Sequence, residues 1–286
     1  MKSREFEVLM RSYERYDDPV VMPGLWTVAR LDGRNFSRLT KMDLPLEKPH
    51  DARFHDAMVY VMSLLMTNNF EVDFAYTQSD EISLLFRLAA GFFGRRKQKW
   101  LSILPAFASV HMTARLGDLL GLKTTIPALF DCRLIQFPNR EAVVDYFRWR
   151  QSDATRNSLN DLVHWKLLST GMRALEVNML TNGMTTAEKH ERLHSEFGIN
   201  FNDLPVWERR GVVARWKHVT KASTTNMDAV APGVELQVTQ TKRELDIDHN
   251  IPFGDEYGKY ARNPTPMGHA DAHAPRLPPA PADTAS

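Results

Sequence analysis

The stretch VDFAYTQSDEISLLF, residues 72–86, decides the fold. Two apolar runs rich in β-branched and aromatic residues, Val72 to Thr77 and Ile82 to Phe86, are separated only by Gln78-Ser79-Asp80-Glu81. A polar break that short joins two antiparallel strands as a hairpin. Upstream, Gly24 to Leu31 (GLWTVARL) reads as another strand. Between them, Asp51 to Asn69 carries Phe54, Met58, Val61 and Leu65 at helical spacing. Downstream, Arg95 to Arg115 reads as a second helix, with Trp100, Ile103, Phe107, Val110 and Ala114 on one side and Pro105 as the place for a kink. Cys132 to Phe137 is the next strand. The order β-α-β-β-α-β predicts an α/β chain of the α+β kind, the split βαβ of ferredoxin-like folds.

Further along, Glu141 to Leu168 reads as one long helix or two, and Thr186 to Glu196 as a helix capped by Thr185. Gly211 to Val219 and Val234 to Ile247 read as a C-terminal strand pair around a loop, Lys221 to Gly233. The expected organisation is a catalytic core over 1–138, a helical and strand extension packed on it over 139–262, and a tail over 263–286. The tail holds Pro264, Pro266, Pro275, Pro278, Pro279 and Pro281 and almost no large apolar side chains. Such a segment cannot offset its ordering entropy, so disorder is expected.

The chain has 286 residues, enough for one large domain or two modest ones. Apolar residues at 43 % and charged residues at 25 % suit a globular protein. No apolar run reaches membrane-helix length, and Met1-Lys2-Ser3-Arg4-Glu5 does not lead into a signal core. One cysteine, Cys132, excludes an internal disulfide framework or a Cys-rich zinc site, and a reducing cytoplasm is the expected location. With 36 basic against 35 acidic residues, the net charge of +1 excludes a strongly basic nucleic-acid binder but leaves room for a local patch.

The candidate chemistry lies at strand ends. The first strand runs into Asp32-Gly33-Arg34-Asn35, and the hairpin carries Asp80-Glu81. In the split βαβ order the first strand lies beside the second arm of the hairpin, so Asp32, Asp80 and Glu81 converge at one sheet edge. Clustered carboxylates repel one another and call for a cation. Hard oxygen ligands suit Mg²⁺ shared with phosphate, and a pair of ions would clamp both oxygens of a phosphoryl transfer. Gly33 lets the backbone approach a phosphate, and Lys48 and Ser79 are further phosphate contacts. Asp-Gly and Ser-Asp-Glu are also ordinary turn sequences, and the residues alone leave the two readings level.

Asp153, Asn157, Asn160 and His164 recur at helical spacing. Asn and Asp weaken a helix unless their side chains are engaged elsewhere, which favours a nucleotide or RNA partner over a solvated stripe. Arg95, Arg96, Lys97 and Lys99 open a helix, where cations oppose the dipole; an RNA backbone and plain solvent account for them equally. With Arg150 these four are the candidate RNA contacts.

Together these segments resemble one family, the tRNA-histidine guanylyltransferases and their relatives, the 3′–5′ polymerases. The resemblance rests on ARLDGRNFSRLTK (29–41), LEKPHDARF (46–54), YTQSDEISLLF (76–86), FFGRRKQK (92–99), FDCRLIQFP (130–138), DYFRWRQSDATRNSLN (145–160) and TAEKHERLHSEFGINFNDLP (186–205). It implies a polymerase-palm-like core and nucleotide addition to the 5′ end of tRNA. ATP or GTP activates a 5′-monophosphate, the 3′-hydroxyl of an incoming nucleoside triphosphate then attacks, and two Mg²⁺ serve both steps. By the same resemblance Asp32, Asp80 and the Gly33 carbonyl are metal ligands, and Glu81 completes the acidic catalytic set. Asp32, Gly33, Arg34, Asn35, Phe36, Ser37, Ser79 and Asp80 bind triphosphate, and Lys48, Asn160 and Lys189 bind the nucleotide or serve activation. A homotetramer with tRNA laid across subunits is implied as well.

Eukaryotic members carry His-Ile-Asn-Asn-Leu-Tyr-Asn where this chain reads Thr155-Arg156-Asn157-Ser158-Leu159-Asn160-Asp161. Thr155 at the histidine position is similar to the bacterial-type branch, which implies template-dependent repair of 5′-truncated tRNA ahead of tRNA-histidine maturation. A palm-fold nucleotide cyclase or dinucleotide synthase would share Asp32 and Asp80 without consuming RNA. A non-catalytic RNA-binding module is disfavoured, because bare carboxylates repel an RNA backbone.

Overall fold

The computed structural model describes residues 3–15, 19–226 and 235–262. In chain order the elements are α1 (Ser3–Arg15), β1 (Trp26–Gly33), the short α2 (Phe36–Arg38), α3 (Ala52–Thr67), β2 (Val72–Gln78), β3 (Glu81–Phe86), α4 (Lys97–Leu120), β4 (Phe130–Phe137), α5 (Arg140–Ser169), α6 (Ala174–Thr181), α7 (Thr186–Phe197), α8 (Val206–Arg210), β5 (Val212–Asn226), β6 (Glu235–Asp248) and α9 (Asp255–Arg262). The six strands form one sheet in the order β4-β1-β3-β2-β5-β6. Every neighbouring pair is antiparallel. The expected β-α-β-β-α-β order is present, with β1 beside β3 at its centre.

Several strands run further than the sequence suggests. The hairpin is tighter than its polar break: Gln78 already pairs with Glu81, so only Ser79 and Asp80 form the turn, with Ser79 at φ 51°. β1 continues past Leu31, so Asp32 and Gly33 pair within the strand, Asp32 opposite both Glu81 and Asp131.

One sheet face is largely apolar. Ala29, Leu31, Ala75, Ile82 and Leu84 lie beneath α3 and α4, against Met58, Met62, Leu65, Trp100, Leu104 and Met112. Asp51 caps α3, its carboxylate accepting from the amides of Arg53 and Phe54. The basic helix start is corrected: Phe92–Arg95 form a tight 3₁₀ turn with Phe93, Gly94 and Arg95 at positive φ, and α4 begins at Lys97. The Glu71 carboxylate accepts from the amides of Gly91 and Phe92, and the Arg95 guanidinium donates to the carbonyls of Val21, Met22 and Ala90. These bonds hold the turn closed, and α4 then passes through Pro105 to end at Gly121, φ 58°.

The other face takes α5, a single 30-residue helix rather than two. Its first half sets Val143, Tyr146 and Phe147 on Val28, Phe74, Tyr76 and Leu85, with Ile251 and Tyr257 sealing the side. Its second half carries a separate cluster, Leu159, Leu162, Val163 and Leu167 against Val177, Leu193 and Phe201. Thr185 caps α7 as expected, in a reciprocal box with Glu188. Lys221 to Asn226, expected in a loop, belong to β5 and pair with β6 as far as Asn226 opposite Glu235. The Pro/Ala tail, with His269 and His273, lies outside the described residues. Among the described residues no helix is long and apolar enough to cross a membrane.

Phe147 is fully buried and meets Phe74 edge-to-face at 4.9 Å. Phe147→Ala is expected to cost about 3–5 kcal/mol in urea unfolding. Val110→Ser, at a position 66 % exposed, is expected to change stability by no more than about 0.5 kcal/mol.

Candidate active site

Opposed residues in an antiparallel pair point to the same face, and the register therefore lays out the site in rows. At the hairpin end the row across β4, β1, β3 and β2 is Asp131, Asp32, Glu81, Gln78. Two residues inward it is Arg133, Arg30, Ser83, Tyr76, and two further it is Ile135, Val28, Leu85, Phe74. α5 crosses these rows and matches each. Phe147 meets Phe74, the Tyr146 hydroxyl lies 2.9 Å from Ser83 Oγ, and Arg150 reaches the carboxylates.

Glu81 is set apart from the other two acids. Arg150 Nε donates to Oε1 at 2.8 Å and Nη2 to Oε2 at 2.7 Å, a bidentate pair, and Arg30 Nε stands 4.0 Å from Oε2. Arg150 also holds Asp153 at 3.0 Å. The structure thus brings Glu81 to a guanidinium rather than into an open acidic triad. It ties Arg150, expected on RNA, to protein carboxylates.

Asp32 and Asp80 form the remaining acidic pair. The amide of Gly33 donates to the Asp80 carbonyl at 3.0 Å, which fastens the end of β1 to the hairpin turn. Burial, and then the charge of Asp32, push the Asp80 carboxyl up to about 6. Among the described residues there is no group of three or more His, Cys, Asp or Glu side chains arranged to hold a metal. Two carboxylates and a carbonyl nevertheless fit Mg²⁺, which takes few protein ligands and fills its shell with phosphate and water. The mutual repulsion at Asp80 is what such a cation would relieve.

The segment after β1 behaves differently from expectation at two positions. A Cβ on Gly33 would stand 2.4 Å from the Phe36 ring, so glycine here serves packing as well as backbone approach. Phe36, expected at the triphosphate, is 1 % exposed and packs edge-on against Phe54 and Phe130. Its ring is a floor rather than a polar contact. Arg34 is exposed, its amide donating to Leu129, and Asn35 adopts φ 60°.

Beside the acidic pair lies a cavity of about 680 Å³, whose lining includes Asp32, Ser37, Lys48, Ser79, Asp80, Asp153, Asn157 and Asn160. Lys48 donates to the Thr40 carbonyl and stands 5.9 Å from the Trp165 ring centroid. Burial lowers its pKa, against the pull of Asp51. Lys189 is not in the lining but donates to Asn160 Oδ1 at 2.9 Å. His164 is not in the lining either; its ring meets Trp165. Arg95, Arg96, Lys97 and Lys99 also lie outside it, and Arg95 is engaged as described above.

Several lining residues were not singled out from the sequence: Arg30, Trp149, Trp165, Trp207, His50 and His55. His50 and His55 are each driven down to about 4, mainly by burial, so both are neutral at pH 7. The His55 ring stacks on Trp207 at 4.1 Å. Beside the cavity, Arg133 Nη2 reaches to 3.9 Å from Asp32 Oδ2. Period-two alternation offered a signal for the arginines, because Arg30 stands two residues before Asp32 and Arg133 two after Asp131. The aromatic rings carried no such signal.

Comparison with known proteins agrees on one family. The family described as tRNAHis guanylyltransferase matches residues 7–138, and its C-terminal domain matches 141–251. The chain is 32 % identical over 263 residues to a probable tRNA(His) guanylyltransferase of Bos taurus, covering 91 % of this chain and 87 % of that one. A Homo sapiens protein of the same description is 31 % identical over 264 residues, covering 91 % and 87 %. In fold, the chain is similar to a bacterial tRNA(HIS) guanylyltransferase (Thg1)-like protein solved in complex with ATP, with TM-score 0.70 and 24 % identity over 90 % of this chain and 98 % of that one. It is also similar in fold to the Saccharomyces cerevisiae tRNA(His) guanylyltransferase, with TM-score 0.64 and 24 % identity over 79 % and 94 %.

The raised Asp80 pKa has a definite sign. The folded chain holds that proton to about pH 6, whereas the unfolded chain releases it near 3.8. Ionising Asp80 therefore costs folding free energy that develops as pH rises from about 4 to 6 and is complete above it. In metal-free buffer, Asp80→Asn is expected to raise the urea midpoint at pH 7, with the gain shrinking towards zero by pH 4.

Proposed function

The chain belongs to the tRNAHis guanylyltransferase family, and from that premise we propose that it is a nucleotidyltransferase extending the 5′ end of tRNA in the 3′–5′ direction. The observation that carries this is the pairing of Asp32 with Asp80 at the end of the palm sheet's inner strands, beside a cavity of about 680 Å³, a size suited to a nucleoside triphosphate. In the first step a 5′-phosphate oxygen of the RNA attacks the α-phosphorus of ATP or GTP and pyrophosphate leaves. In the second, the 3′-hydroxyl oxygen of an incoming nucleoside triphosphate attacks the 5′-terminal phosphorus. A phosphodiester forms, the bond to the activating nucleotide breaks, AMP or GMP leaves, and the hydroxyl proton passes to solvent.

Asp32, Asp80 and the Gly33 carbonyl would hold two Mg²⁺, which when bound neutralise charge on the reacting phosphates. The chain's own side chains do the rest. Ser37, Ser79 and Lys48 contact phosphate oxygens, and Lys189 orients Asn160 towards the nucleotide. Arg150 fixes Glu81 next to Asp80 and so holds the hairpin turn in place. Residues 1–138 act as the catalytic core, with 139–262 as the extension completing the cavity. Action in the cytoplasm as a homotetramer completes this reading.

We assign the chain to the template-dependent, bacterial-type branch. The support is Thr155, whose hydroxyl donates to the Gln151 carbonyl at 3.0 Å in its own helix. That leaves position 155 without a donor for a non-pairing base, and base pairing then selects the nucleotide.

The test is incorporation of α-³²P-labelled GTP with Mg²⁺ and ATP into two 5′-monophosphorylated RNAs, a tRNA lacking its first nucleotide and a full-length tRNA-histidine. Labelling of the truncated RNA only where the added base pairs is the expected result. Labelling of tRNA-histidine alone would overturn the templated reading, and GTP consumption with neither RNA labelled would point to a cyclase. Asp32→Ala and Asp80→Ala are each expected to lower incorporation by about a thousandfold or more, with the folded state retained by circular dichroism.

A further inference from the structure

Trp149 is 55 % exposed, yet it lines the same cavity as Asp32 and Asp80. Trp165 and Trp207, the other tryptophans of that lining, are only partly exposed. The Arg150 guanidinium sits over the Trp149 ring, 4.5 Å from its centroid. Tyr146, one turn earlier, meets it edge-on at 6.0 Å. Both neighbours are themselves fixed, Arg150 by Glu81 and Asp153, and Tyr146 by Ser83 and Phe137. Trp149 is therefore braced by a cation over its ring and by an aromatic edge, while about half of its surface stays open.

An open, rigidly backed indole face at the mouth of a polar site has one ready chemical partner, a nucleobase. Two candidates exist in the reaction proposed above, the base of the free nucleotide and the terminal base of the RNA. The exposure favours the RNA, because a base enclosed in the cavity would not need a platform open to solvent. The neighbouring charge favours it too: Arg133, 52 % exposed on its side chain, flanks Asp32 from the edge strand β4, where a polynucleotide phosphate can reach it.

We propose that Trp149 is the stacking platform for the terminal base of the RNA acceptor, placing its 5′-phosphate over Asp32 and Asp80. This rests on the nucleotidyltransferase reading above. Stacking tolerates any base, so the platform positions the end without selecting sequence, and selection falls to pairing with the template.

The experiment compares the wild type, Trp149→Ala and Trp149→Phe on a 5′-monophosphorylated acceptor-stem hairpin bearing 2-aminopurine at its terminal position. Wild type is expected to quench the 2-aminopurine on binding and to incorporate nucleotide. Trp149→Ala is expected to lose the quench and to raise KM for RNA about tenfold, the size of one lost stacked base, with KM for the nucleoside triphosphate unchanged. Trp149→Phe is expected to restore most of both. Unchanged RNA KM and quench in Trp149→Ala would overturn the proposal, and a rise confined to the nucleotide KM would assign the platform to the free nucleotide instead. If the wild type itself incorporates nothing, the nucleotidyltransferase reading falls, and this proposal with it.

Discussion

Three carboxylates from three adjacent strands stand in one row across the end of this sheet, and the fold has to hold them there against their own repulsion. The bidentate Arg150–Glu81 pair does this for one of them. With both side chains only 12 % exposed, the pair sits in a medium where an unmatched charge is costly, so each partner fixes the other. Glu81 occupies the first position of β3, directly after Asp80. Clamping it anchors the turn and leaves Asp80 facing Asp32.

The rows explain how a sheet face can be a core at one end and a site at the other. Val28, Leu85 and Phe74 are buried by the start of α5 with Ile135 partly covered beside them, the next row runs from buried Tyr76 and Ser83 to exposed Arg133, and Asp32 and Glu81 open on the cavity. α5 follows the same gradient, from Val143 and Phe147 through Tyr146 to Arg150 and Asp153. Because one rigid helix carries both the packing and the polar contacts, site geometry is inherited from the core. The opposite face, sealed by α3 and α4, supplies the stable backing, and the Phe36 ring under Gly33 links that core to the backbone of the site.

Much of this arrangement was legible in the sequence, because it follows from local periodicity. The hairpin at 78–81 and the helix at 51–69 declare themselves through two apolar runs around a short polar break and through helical spacing, and with them the meeting of Asp32 and Asp80. What local pattern could not reveal was partnership at a distance. Arg150 and Glu81 are 69 residues apart, and nothing in either motif says that one takes both oxygens of the other. Phe36 lies within a polar, phosphate-like motif but answers to Phe54 and Phe130, which only the folded chain brings near. Arg95 was read as one of a run of cations, whereas the positive-φ turn around it directs its guanidinium inward. Lys221 to Asn226 read as loop because they carry no large apolar side chain, and such a stretch is a loop only when no ribbon partner is available.

That ribbon divides the molecule into two tiers of stability. β5 pairs with β2 only over Val212 to Arg215, and from Trp216 to Asn226 it pairs with β6 alone. Two strands without a third are marginal in water by themselves. The amides beyond Trp216 are therefore expected to open to solvent through a local event that leaves the β4-β1-β3-β2 core intact, while those of β1 and β3 wait for global unfolding. One continuous sheet thus joins a centre paired on both sides to an outer arm, beyond the Trp216 indole that donates to the Val72 carbonyl, whose two strands pair only with each other.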